Sequence, residues 1–331
     1  MAEAKLPGEF ELIARYFRPL AAASPAALAL GDDAALIPAE ADTEIVATAD
    51  ALVAGVHFLP EDPPDLIARK MLRVNLSDLA GMGARPLGYL MTLALPGEVT
   101  EDWLRRFAEG LAQDQKEFGI GLLGGDTTRT PGRTTLSVTA LGQVRAGTAL
   151  RRKGARIGDA IWVSGTLGDA ALALRQLKGE VAVADAAAVR FLIERYRLPQ
   201  PRLLLGQALV EARLATAGLD ISDGLVADLG HLCAQSGVAA LVEAQRLPLS
   251  APVHTLLDLD PALIGTILGG GDDYELVFTA DPAASEAIDA LARGLRLAIA
   301  RIGCIEAGTG VRVRDAAGCE IAVERGGYRH F

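Results

Sequence analysis

Glycine and aspartate stand side by side at four places in this chain: Gly31-Asp32-Asp33, Gly124-Gly125-Asp126, Asp220-Ile221-Ser222-Asp223-Gly224 and Gly269-Gly270-Gly271-Asp272-Asp273. Asp50 ends a strand-like segment and Asp78 lies in a helix-like one. Crowded carboxylates repel one another and are costly to desolvate. A divalent cation relieves both problems, and hard cations such as Mg2+ take oxygen ligands. Glycine lets the backbone approach a ligand closely and adopt positive φ. Glycine with aspartate at several loop tips therefore points to a metal–polyphosphate site assembled from distant segments. Any one of these motifs alone is equally well a turn; the set of them favours the metal.

Other chemistries lack their residues. There is no GxxxxGK[ST] loop, no HRD or DFG set and no GxSxG elbow. Gly165-Thr166-Leu167-Gly168-Asp169 follows a strand and opens a helix, but it lacks the full dinucleotide fingerprint and reads as a packing turn. His57, His231, His254 and His330 are nowhere spaced as metal pairs. Cys233, Cys304 and Cys319 form no CxxC, which argues against zinc and against a disulfide framework, and points to a reducing cytoplasm.

These residues need a scaffold, and the composition supplies one. The chain has 331 residues, enough for about two domains of ordinary size. Half of it is hydrophobic and only 5% aromatic, so the core is aliphatic. Asp+Glu 42 against Lys+Arg 32 leaves a net charge of −10, with no basic tract. Nucleic acid and anionic membrane are thereby disfavoured as partners, and an anionic ligand needs cations as intermediaries. Met1–Phe17 carries Glu9 and Glu11 and does not read as a signal peptide, and no uncharged run is long enough to span a bilayer.

Periodicity predicts a strand over 44–51, a helix over 65–82 with one apolar face, a strand over 87–95 and a helix over 100–118. Thr100 is the expected N-cap of that last helix and Gly119 its stop. A short strand over 120–123 runs into Gly124-Gly125-Asp126, and 134–144 alternates as a half-exposed strand. The basic segment Gly147–Gly158 marks a boundary, giving domains 1–146 and 147–331. Beyond it, strands are predicted over 160–164, 239–243, 274–279 and 297–304, and helices over 167–177, 202–214, 225–235 and 282–291. Strands and helices alternate in both halves, an α/β (α+β) class with two domains and a ligand site expected between them.

In order along the chain run Gly8-Glu9-Phe10-Glu11-Leu12-Ile13, Gly31-Asp32-Asp33-Ala34-Ala35, Thr48-Ala49-Asp50-Ala51-Leu52-Val53, Gly55-Val56-His57-Phe58 and Val74-Asn75-Leu76-Ser77-Asp78-Leu79-Ala80. Gly124-Gly125-Asp126-Thr127-Thr128, Asp220-Ile221-Ser222-Asp223-Gly224-Leu225, Gly271-Asp272-Asp273-Tyr274-Glu275-Leu276 and a closing Gly327-Tyr328-Arg329-His330-Phe331 follow. The ordered set resembles the thiamine-monophosphate kinases, of the aminoimidazole-ribonucleotide-synthetase-like ATP-binding superfamily, from end to end.

The resemblance implies an N-terminal α/β domain whose strands form a barrel with a second subunit, hence a homodimer, and a C-terminal α/β domain completing a cleft. It implies transfer of phosphate from ATP to thiamine monophosphate with several Mg2+ ions. By position it implies metal ligands at Asp33, Thr48, Ala49, Asp50, Asp78, Asp126, Asp220 and Asp223. ATP contacts fall on Gly125, Asp126, Arg152 and Ser222, and thiamine monophosphate contacts on His57, Asp272 and Arg325. Three positions depart from the family pattern. Ala49 stands where a hydroxyl residue is usual and keeps only its carbonyl as a ligand. Asp272 is one methylene shorter than the usual Glu. Arg325 replaces an aromatic, with Tyr328 nearby.

Rival readings are the sibling synthetases and a non-catalytic nucleotide or metal binder. A selenophosphate synthetase needs a reactive Cys in a glycine-rich N-terminal loop, whereas every Cys here lies beyond residue 230. An aminoimidazole ribonucleotide synthetase is distinguished by its acceptor. A non-catalytic binder is disfavoured by the intact aspartates.

Overall fold

Two single-turn helices, α1 (Glu9–Leu12) and α2 (Arg18–Ala21), precede β1 (Thr43–Val53), α3 (Pro64–Gly81), β2 (Arg85–Leu95), α4 (Glu101–Phe118), β3 (Leu122–Arg129) and β4 (Thr135–Arg145). The computed structural model describes residues 8–31, 34–38, 40–323 and 327–328. It divides into two units, Met1–Leu79 with Ala84–Gly147, and Ala80–Gly83 with Thr148–Phe331.

In the first unit the strands form one sheet in the order β1-β4-β2-β3. Leu136, Val138 and Ala140 of β4 are buried and alternate with half-exposed Thr135, Ser137 and Thr139. That two-residue period gives the sheet a packed face and an open one. On the packed face lie α3, which reaches β1, and α4, whose Gln115 donates to the Tyr89 hydroxyl of β2 at 3.0 Å. The open face carries Ile45, 52% exposed, and Leu90, 40% exposed, beside exposed Ala47, Ala49 and Ala51. The sheet is thus a half-barrel whose open face is apolar and exposed along β1.

α3 and α4 are clamped together. A Cβ at Gly110 would meet the Asp65 carbonyl oxygen at 2.2 Å, so only glycine permits this approach. Arg73, almost fully buried, makes a two-pronged contact with buried Asp114 at 2.7 and 2.9 Å, and Arg69 adds a third bond at 2.7 Å. The paired geometry satisfies charges that could not be buried singly. Thr100 accepts from the Trp103 N–H at 3.2 Å and Gly119 closes α4 at φ 64, as the sequence predicts.

The second unit runs β5 (Ala160–Ser164), α5 (Asp169–Leu177), α6 (Ala186–Arg197), α7 (Leu203–Glu211), β6 (Ala217–Ile221), α8 (Leu225–Ser236), β7 (Ala239–Glu243), α9 (Ala251–Leu259), α10 (Ile264–Gly269), β8 (Glu275–Ala280), α11 (Ser285–Leu295), β9 (Ile299–Glu306) and β10 (Gly310–Arg314). Its sheet has the order β10-β7-β9-β5-β8-β6. β10 pairs with β7 in parallel and the other pairings are antiparallel. β5, β6 and β8 are buried along their whole length. No described helix is long and apolar enough to cross a membrane.

Two expectations about strand ends are corrected. Gly124-Gly125-Asp126 lies inside β3, which pairs in parallel with β2, and Asp50 lies three residues before the end of β1. A Cβ on Gly125 would come within 1.8 Å of the Met91 carbonyl oxygen, so its glycine serves strand contact rather than a turn.

Candidate active site

In the first unit, β1 and α3 supply the oxygens. Thr48 and Asp50 are two apart on β1 and share the face toward α3. Asn75 and Asp78, three apart on α3, share one side of that helix. The Thr48 hydroxyl donates to Asp78 Oδ2. The Asp50 N–H donates to Asn75 Oδ1 at 3.2 Å, and Asn75 Nδ2 donates to the Met71 carbonyl at 3.0 Å. Fully buried Asn75 thus pins β1 to α3 beside the two carboxylates. Asn75 has no role in the ligand set that the resemblance implies; its three-residue spacing from Asp78 is the sequence signal for its place here. Ala49 alternates to the open face, exposed, so its side chain is not in this group.

Asp126 is also elsewhere. It pairs with Thr92 in the β2–β3 ladder, and both are exposed on the open face. There it lines a cavity of about 330 Å³ with Phe17, Leu30, Ala34, Ala35 and Gly125. Ala34 follows Asp33 in sequence; Asp33 itself lies outside the described residues. The structure therefore gathers Thr48, Asp50 and Asp78 and sets Asp126 apart. His57 sits in a turn after β1, where its Nδ1 accepts the Val53 N–H at 3.0 Å. In the neutral ring the proton is then on Nε2.

In the second unit the loop after β6 is held from below. One carboxylate oxygen of Asp228, on α8, accepts the N–H groups of Ser222, Asp223 and Gly224 at 3.0, 3.0 and 3.1 Å. Burial pushes the Asp228 carboxyl up to about 6, against the lowering effect of those donors. The carbonyls of the same strip hold a second loop. Tyr274 N–H donates to Ile221 at 2.8 Å, Asp272 N–H to Ser222 at 2.9 Å, and Tyr328 N–H to Asp223 at 3.0 Å. Asp220, 5% exposed, is the last residue but one of the adjoining strand β6. The two glycine–aspartate loops of this unit are thus laced backbone to backbone, bringing Asp220, Ser222, Asp223 and Asp272 into one region. Arg152 is exposed, and its carbonyl accepts from the Ser236 hydroxyl at 2.9 Å. Arg325 lies outside the described residues.

Asp272 and Asp273 are not equivalent. Asp272 is half-buried at φ 71, while Asp273 is 2% exposed and accepts the Gly168 N–H through both oxygens at 3.0 and 3.1 Å. Burial holds the Asp273 carboxyl well above the usual carboxylate range. Next to it, fully buried Glu275 takes Arg202 at 2.6 and 2.5 Å, Arg195 at 2.8 Å and the Ser164 hydroxyl at 2.7 Å. The GxxGD turn is part of this polar core. Gly165 lies where a Cβ would meet the Glu275 carboxylate at 2.0 Å, and Asp169 accepts from Ser250 at 2.6 Å.

Among the described residues no three His, Cys, Asp or Glu side chains close on a point as a metal cage would. The donors present are all hard oxygens, from carboxylate, hydroxyl and carbonyl. Such a set fits Mg2+, which takes one or two carboxylates and completes its shell with phosphate oxygens and water.

The model of the AIR synthase related protein N-terminal domain matches residues 31–144, and that of the C-terminal domain matches residues 156–316. The thiamine-monophosphate kinase of Caulobacter vibrioides is 42% identical over 328 residues, 98% of this chain and 91% of that protein. The chain belongs to the thiamine-monophosphate kinase family. Solved structures agree. The thiamine-monophosphate kinase of Stenotrophomonas maltophilia K279a is 46% identical with a TM-score of 0.82, covering 94% of this chain and 98% of that one. AaThiL complexed with AMPPCP and TMP is 31% identical with a TM-score of 0.77, covering 98% and 97%. The kinase family therefore has the two-domain, mixed α/β fold described above.

Proposed function

We propose that this protein transfers the γ-phosphoryl group of ATP to thiamine monophosphate, giving ADP and thiamine diphosphate. The reading rests on near-full-length kinship with the kinases, and the carboxylate and hydroxyl oxygens of Thr48, Asp50 and Asp78 suit the task. The acceptor phosphate is already an anion at neutral pH, so no strong base is needed. One of its oxygens bonds to the γ-phosphorus while the bridging P–O bond to the β-phosphate breaks and its electrons leave on ADP. Positioning and charge neutralisation then carry most of the catalysis.

Asp33, Thr48, Asp50, Asp78, Asp126, Asp220 and Asp223 are assigned to holding Mg2+, with the Ala49 carbonyl beside them. Mg2+ supplies the screening of repulsion between two phosphate-bearing anions. Gly125, Asp126, Arg152 and Ser222 are assigned to ATP. His57, Asp272 and Arg325 are assigned to thiamine monophosphate, with His57 Nε2–H a natural donor to a phosphate oxygen. The active species is assigned as a homodimer, because exposed apolar residues along β1 of a half-barrel suit a two-fold, self-complementary contact.

The test is ADP release with ATP, Mg2+ and each of three acceptors: thiamine monophosphate, a formylglycinamidine ribotide and selenide. Turnover with the first alone is expected, abolished by chelation and restored by Mg2+. ATP binding without turnover on any acceptor would leave only a nucleotide-binding protein.

A further inference from the structure

We propose that Asp228 is a positioning residue for the reaction: its carboxylate sets the backbone of Ser222, Asp223 and Gly224 and, through them, the loop that carries Asp272. The inference rests on the assignment of Ser222, Asp223 and Asp272 to ATP, metal and acceptor. An ordinary helix cap sits before the helix and reaches forward to its first turn. Asp228 does the opposite. It is the fourth residue of α8 and reaches back to three successive amides, two of them ahead of the Gly224 cap.

The strip has two edges. Its N–H edge is gathered on one Asp228 oxygen; its C=O edge, through Ile221, Ser222 and Asp223, receives the amides of Tyr274, Asp272 and Tyr328. Glycines make the contact close: a Cβ on Gly271 would lie 2.4 Å from the Ser222 carbonyl oxygen. If the N–H edge is released, the peptide planes of 222–224 can rotate and their carbonyls turn away from the second loop. One buried side chain that touches neither ATP nor acceptor in this reading therefore sets the groups assigned to both.

The experiment compares Asp228→Ala, Asp228→Asn and Asp228→Glu, with Asp223→Asn as a control for the metal assignment. Amide hydrogen exchange is followed first, on metal-free protein without substrates. Asp228→Ala is expected to speed exchange at 222–224 and also at 272 and 274 by about tenfold or more, the scale of a lost hydrogen bond to a charged group. In turnover assays it should raise the Mg2+ concentration for half-activation and both KM values by about tenfold. Asp228→Asn keeps an acceptor oxygen of the same reach and should restore exchange and KM to within about threefold. Asp228→Glu keeps the charge, displaces the oxygen by one methylene and should behave more like the alanine variant; it stands in if that variant does not fold.

Unchanged exchange at 272 and 274 in a folded Ala or Glu variant overturns the proposal, whatever the kinetics. Failure of Asn to rescue exchange overturns it too. If exchange responds as expected but Asp223→Asn leaves the Mg2+ requirement unaltered, the metal assignment of this loop fails while the positioning of its backbone stands.

Discussion

Thr48, in the middle of β1, donates its hydroxyl hydrogen bond to the carboxylate of Asp78, near the end of α3. The bond joins strand to helix and presents hydroxyl and carboxylate oxygens side by side. Asn75 secures the next residue pair in the same way, by accepting the Asp50 N–H. Fixing such oxygens by hydrogen bonds is how a metal-dependent transfer gains from its scaffold.

Asp78→Asn is therefore expected to lower kcat by at least about a hundredfold at saturating Mg2+, with the fold kept, since it removes charge that neutralises the transferring phosphoryl group. Thr48→Val, which loses the orienting bond and the hydroxyl assigned to Mg2+ but removes no charge, should cost less, about tenfold. Steady-state rates with matched circular dichroism check both, and near-normal turnover in Asp78→Asn would remove the metal assignment at this position.

The acceptor should be thiamine monophosphate and not thiamine. A neutral hydroxyl needs a base to attack, whereas alignment of an existing anion can itself contribute several kcal/mol, roughly two to four powers of ten in rate. With γ-labelled ATP, product analysis should find label in thiamine diphosphate only. Equal labelling of thiamine, or label held on the protein without acceptor, sinks this reading.

The open sheet face should mediate self-association. Leu90→Glu places a charge on the same open face, across Thr139 of β4 from Ala49. Light scattering is expected to report a dimer for the parent chain and a 34.5 kDa species for the variant. A parent chain that is monomeric and fully active would contradict the dimer.

Asp273 gives a pH prediction. Burial, then Asp169 and Glu275, raise its carboxyl, while the Gly168 amide and Arg195 lower it, and the net direction is upward. A carboxyl raised in the folded state binds its proton more tightly there than in the unfolded chain. Its stabilising contribution is full below the unfolded value and is lost as pH rises through the folded one. Asp273→Asn cannot lose that proton, so its melting temperature relative to the parent should increase between about pH 5 and pH 8. A gap that narrows with rising pH would refute the assignment.

The first unit was readable because its elements have clean periods. β4 alternates, α3 and α4 carry apolar faces, and the Thr100 and Gly119 signals bracket α4 as expected. β6 went unread because Ala-Gly-Leu-Asp-Ile, buried along its length, shows no alternation. α6 and α9 were likewise unpredicted; the first opens on three alanines and the second has Pro252 at its start. Gly124-Gly125-Asp126 has the propensity of a turn, yet pairing with β2 draws it into a strand. Within the site, the aspartates were visible as types but their partners were not. Asn75 and Asp228 act through bonds to backbone amides from residues distant in the chain or across a helix turn. Neighbouring Asp272 and Asp273 look alike in one dimension. In the fold the backbone is left-handed at Asp272 and Tyr274, φ 71 and 50, and Asp273 is buried against the Gly168 amide while Asp272 is half-buried.

That left-handed backbone bears on how this chain can evolve. Glycine would hold φ 71 at residue 272 without the steric penalty an L-side chain meets, a difference on the order of 1 kcal/mol. Selection for heat resistance alone would favour Asp272→Gly, and the same replacement would discard the carboxylate assigned to the acceptor. A library screened for melting temperature should enrich that substitution, and one screened for growth that depends on the enzyme's own activity, without supplied product, should purge it. Position 272 would then mark a point where durability and recognition pull the lineage in opposite directions.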